Sequence, residues 1–83
     1  MIRVNFTNPA NGVTLAADLP RSTKFSAMSG LLYETGFLAP QKGGYGFLIN
    51  GNLCGASHRL GDYLDDDALS ADVTVFDIPK IMV

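Results

Sequence analysis

The sequence predicts an α+β fold: an N-terminal β-hairpin, then one α-helix packed on a mixed sheet of four to five strands. Three observations predict it. Apolar and polar residues alternate in two short runs around an Asn-Gly turn near the start, one later stretch carries apolar residues at helical spacing, and alternation returns in the second half. A single helix with one apolar stripe needs a sheet to cover that stripe.

The elements follow in order. Ile2, Val4 and Phe6 alternate with Arg3, Asn5 and Thr7, the period-2 pattern of a strand with one buried face. Asn8-Pro9-Ala10-Asn11-Gly12 supplies turn chemistry, and Val13, Leu15 and Ala17 alternate again before Asp18-Leu19-Pro20. Ser22 or Thr23 reads as the helix N-cap, since a side-chain hydroxyl there can accept a free backbone N–H. Phe25, Met28, Leu31 and Leu32 then form one apolar stripe, and Gly36 stands where a left-handed residue would end the helix. This stripe reads as core, not as a cofactor box.

Ala39 to Gly44 is a loop by composition. Tyr45 to Ile49 reads as a strand, Asn50-Gly51 as a tight hairpin, and Asn52-Leu53-Cys54 as a short return strand. Residues 55–70 look irregular, with an apolar knot of Leu60, Tyr63, Leu64 and Leu69. Val73 and Val75 alternate with Thr74, Phe76 and Ile78 in a last strand whose two faces are both partly apolar, and Pro79 ends its pairing.

Composition narrows the function. The 83 residues are read as one domain, 1–83, with 47% hydrophobic and 17% charged residues and a net charge of −2. The six Lys and Arg are scattered singly, so no basic field favours nucleic acid. No apolar run approaches the roughly 20 residues of a membrane-spanning helix. The start of the chain carries no signal-peptide pattern, and a cytoplasmic location is expected.

Three stretches together resemble ubiquitin and its β-grasp relatives. They are Met1-Ile2-Arg3-Val4 leading to Thr14 through Pro20; Leu31-Leu32-Tyr33-Glu34-Thr35-Gly36-Phe37 at the helix end; and Phe47-Leu48-Ile49-Asn50-Gly51 followed by Arg59-Leu60-Gly61-Asp62-Tyr63. The resemblance covers nearly the whole chain. It implies that Tyr63 packs under the irregular loop and hydrogen-bonds to backbone. It also implies recognition through an apolar patch on the outer sheet face, to which Leu48 and Phe76 correspond, while the third contributor falls on Asn8-Pro9. Leu48 and Phe76, with Ile78, Ile81 and Met82 of the apolar tail, are the candidate protein-binding residues.

The sequence departs from the conjugated members of that family. It closes on Pro79-Lys80-Ile81-Met82-Val83 in place of Gly-Gly, Asn52 stands where a linkage lysine would follow the turn glycine, and Asp67 stands at another linkage position. The expectation is a non-conjugated adaptor or accessory subunit of a larger bacterial complex. It is similar in size and ending to the YukD/EsaB group that accompanies type VII secretion systems. Small accessory subunits of multicomponent oxygenases, and a modifier or sulfur carrier with an atypical end, are the alternatives. The partner is expected to be a protein, with a second copy of the chain one candidate.

Chemistry reads more weakly. Cys54 and His58 are four apart, but one Cys and one His do not close a tetrahedral zinc site, and a Cys–His nucleophile needs a third, orienting group. Asp65-Asp66-Asp67 fails the calcium-loop pattern, because Ser70 and Phe76 fall where Gly and Glu are required. It reads as a solvated loop or as a contact for a basic partner surface. No catalytic residue, metal or cofactor is expected.

Overall fold

The computed structural model describes residues 1–39 and 44–77. Strands β1 (Ile2–Asn8) and β2 (Val13–Leu19) form the N-terminal hairpin, followed by helix α1 (Phe25–Glu34). Strands β3 (Tyr45–Ile49) and β4 (Asn52–Leu53), a 3₁₀ turn (Leu60–Tyr63) and β5 (Ser70–Asp77) complete the order. The five strands make one mixed sheet in the order β2-β1-β5-β3-β4. β5 runs parallel to β1, with Phe6 beside Val73, and antiparallel to β3, with Phe47 beside Val75. Hairpin, helix and parallel β1–β5 pair constitute the ubiquitin-like β-grasp arrangement.

Period-2 alternation decides which face is buried. Ile2, Val4 and Phe6 of β1, Phe47 and Ile49 of β3, and Ala71, Val73 and Val75 of β5 all face the core. There they meet Phe25, Met28 and Leu32 of α1 and Leu60 of the 3₁₀ turn, each fully buried. A row of rings runs through this layer: Phe47 lies 6.5 Å from Phe6 and 5.7 Å from Phe25, and Phe25 lies 5.6 Å from Tyr63. Edge-to-face and tilted ring pairs of this kind add roughly 0.5–1.5 kcal/mol each beyond their buried area.

The two ends of α1 are held differently. At its C-terminus Gly36 takes φ 78°, and a Schellman motif closes: Gly36 N–H donates to the Tyr33 carbonyl at 3.1 Å and Phe37 N–H to the Leu32 carbonyl at 3.0 Å. At its N-terminus the cap residue is Lys24, with no side-chain bond, which corrects the expectation of Ser22 or Thr23. The reason is tertiary. Phe25 N–H donates to the His58 carbonyl at 3.1 Å and Ser26 N–H to the Ala56 carbonyl at 3.0 Å, so distant backbone satisfies the helix start.

The Asn50-Gly51 turn has both residues at positive φ, 53° and 79°, the geometry that suits a two-residue hairpin. Leu69, expected in the apolar knot, is instead 81% exposed. Leu60 occupies the interior alone, with Tyr63 and Leu64 packed at its margin.

Candidate protein-binding surface

The sheet face away from α1 is divided into two halves. On the β2–β1 side the outward residues other than Ala16 are polar: the Arg3 Nε–H donates to Asp18 at 2.7 Å, and Asn5 donates to Asp72 of β5 at 3.2 Å. The bond and charge of Asp18 raise the pKa of Arg3 further, yet both side chains stand in water, where such a pair is screened. On the β5–β3–β4 side the outward residues become apolar. Leu48 of β3 is flanked by Thr74 of β5 and by Leu53 of β4, while Phe76 lies opposite Gly46, two positions along β3.

Leu48 and Phe76 are half-buried and Leu53 is 66% exposed. The Phe76 ring lies across Gly46 so closely that no Cβ would fit there. Phe76 therefore has a second role, covering a strand glycine that has no side chain of its own to pack. At the position of the third contributor, where the sequence departs from ubiquitin, Asn8 is half-buried and Pro9 exposed in the first hairpin turn. Ile78, Ile81 and Met82 lie outside the described residues.

Sequence reasoning missed Leu53, and the signal for it was present. A two-residue turn at Asn50-Gly51 pairs Ile49 with Asn52 and Leu48 with Leu53, so Leu53 had to fall beside Leu48. Leu53 also stands at the rim of a cavity of about 290 Å³ between the start of α1 and the β3–β4 edge, whose walls include Phe25, Ser29, Tyr45 and Cys54. Among the described residues no charged side chain lines it.

Cys54 and His58 do not form a pair. The Cys54 thiol is buried and donates to the Asn52 carbonyl at 3.7 Å, and burial pushes its pKa up, away from the reactive thiolate. The His58 Nδ1 meets the Tyr63 hydroxyl at 2.6 Å. That hydroxyl also accepts the Gly55 N–H at 2.9 Å. Tyr63 thus fastens residues 55–58, and through the His58 and Ala56 carbonyls it fastens the start of α1. This is the structural role the ubiquitin resemblance implied.

The acidic loop is held by its backbone. Arg21 donates to the carbonyls of Leu64 and Asp65 at 3.3 and 2.8 Å, leaving the Asp65, Asp66 and Asp67 side chains exposed. Among the described residues no group of three His, Cys, Asp or Glu side chains is placed to hold a metal ion. No described helix is long and apolar enough to cross a membrane. Comparison with protein-family models finds no match, and comparison with curated proteins finds none either.

Proposed function

We propose that this chain is a non-conjugated ubiquitin-like protein-binding module, an adaptor or accessory subunit that docks through the apolar half of its outer sheet face. The observation that carries this reading is the placement of Leu48 and Leu53 side by side on β3 and β4, with Phe76 diagonally across on β5, on a face whose other half is mostly polar. A contiguous apolar group rimmed by polar residues is the usual mark of an interaction surface. The partner is a protein offering an apolar anchor of its own. Membership of the YukD/EsaB-like accessory proteins is the finer form of the same proposal, and it rests on size and fold alone, with no diagnostic motif.

Site-specific photo-crosslinking in the native host tests the proposal. A photoreactive residue at Leu53 should give a discrete adduct with a second protein, and the same residue at Thr14, on the outward side of β2, should give no adduct with that protein. Equal capture from both positions would mean that the apolar half is not the docking surface.

A further inference from the structure

The sheet ends on two unequal edges. β4 has only two residues, whereas β2 runs for seven, pairs with β1 in unbroken register from Ile2–Leu19 to Asn8–Val13, and forms the opposite edge. Among the described residues no strand lies outside β2. Long edges of this kind are normally blunted by Lys, Pro, a bulge or an inward charge, because a bare row of N–H and C=O groups templates further pairing. β2 has none of these, although its first backbone donor, the Val13 N–H, is taken by Asn11 Oδ1 at 2.9 Å. Its sequence is Val-Thr-Leu-Ala-Ala-Asp-Leu, and its one charge, Asp18, is already paired with Arg3.

The side chains of β2 point to the same outcome. Val13, Leu15, Ala17 and Leu19 lie on the core side of the strand, opposite Asn8, Phe6, Val4 and Ile2, yet none is fully buried, and Val13 is 46% exposed. This leaves an apolar rim along the edge. We infer that the rim and the open backbone are completed by a second copy of the chain, β2 pairing antiparallel with β2 of its partner about a two-fold axis at Ala16.

The register follows from geometry. Facing residues in an antiparallel pair share a face, so a two-fold axis perpendicular to the sheet must pass through a residue position. Only an axis at Ala16 pairs all seven residues. Val13 then faces Leu19 across the axis and Leu15 faces Ala17, so each rim covers the other. On the outward face Thr14 meets Asp18, and no two like charges stand opposite one another. The result is a ten-stranded sheet with the Leu48–Leu53–Phe76 groups at its two far ends, a bivalent arrangement that strengthens binding to a repeated partner. This inference stands apart from the docking proposal, since β2 contributes nothing to that patch.

Sedimentation equilibrium over rising concentration, combined with thiol cross-linking, tests it. The chain should shift toward twice its 8.9 kDa mass. Ala16→Lys, at an exposed position, should keep the fold by circular dichroism and return the chain to monomer, because it sets two ammonium groups face to face on the axis. In a Cys54→Ala background, Ala16→Cys should couple to its twin with a short bismaleimide. Asp18→Cys should not, since it lies four residues out of register, roughly 13 Å along the strand. A chain that stays monomeric at millimolar concentration would overturn the inference. So would a dimer that survives Ala16→Lys, or cross-linking as fast at position 18 as at position 16.

Discussion

The two halves of the outer sheet face rest on one continuous core and present opposite chemistry. Behind the β1–β2 half lie Val4 and Phe6, and behind the β3–β5 half lie Phe47 and Val75, all buried to 3% exposure or less. In front, one half carries Arg3–Asp18 and Asn5–Asp72, and the other carries Leu48, Leu53 and Phe76. Stability does not require this difference, because a single sheet face can be polar throughout while its reverse side holds the helix. Apolar side chains kept in front of a complete core are better explained by what they contact outside the molecule.

The contrast predicts a steep gradient across β3. Phe47→Ala removes the ring between Phe6 and Phe25 and should cost about 3–5 kcal/mol in urea unfolding. Its outward neighbour Leu48→Ser should cost about 1 kcal/mol, because the side chain is half in water already. Equal losses at the two positions would make Leu48 part of the core and remove the contrast. Phe76→Ala falls between them, at about 1–2 kcal/mol, because it also uncovers Gly46.

Tyr63→Phe probes what holds the region beneath. It deletes the group that Gly55 and His58 share, and the expected loss is about 1–2 kcal/mol. Hydrogen exchange should speed up at Phe25 and Ser26, whose N–H groups depend on that loop, while Phe37 at the other helix end should not change. Uniform acceleration along α1 would contradict the separate anchoring of its ends.

That asymmetry explains what the sequence disclosed. Gly36 and the Asn50-Gly51 turn were legible because their chemistry is local: a residue with positive φ marks each one. Strand faces were legible because burial follows alternation. The true helix cap was not, since it consists of carbonyls from residues 56 and 58, some thirty positions downstream, and backbone carbonyls have no residue-type signature. Leu48 and Phe76 could be placed on one face from periodicity. Leu53 escaped because two residues show no period, although the turn geometry fixes its partner. The exposed Leu69 was misplaced because apolar composition alone does not say which residue of an irregular segment turns inward.

The smallest expected effect concerns pH. The Cys54 thiol, raised from an ordinary value of 9.0 by burial, keeps its proton longer in the folded chain than in the unfolded one. Its contribution to stability is therefore complete below about pH 9 and is lost as pH rises through the raised folded value. Cys54→Ala should flatten the alkaline decline in thermal stability without changing it at neutral pH beyond the cost of a small side chain. An unchanged slope would place the thiol in contact with water.

The most direct measurement is the affinity of the crosslinked partner, once isolated, for the Leu48→Ser/Leu53→Ser double variant. Burying each leucine at an interface is worth about 1.5–3 kcal/mol, so the pair should account for a loss of roughly a hundredfold or more in Kd. The variant should keep the native circular dichroism spectrum and lose little of its melting temperature. Binding within a factor of about two of the parent chain, with the fold intact, would contradict the account.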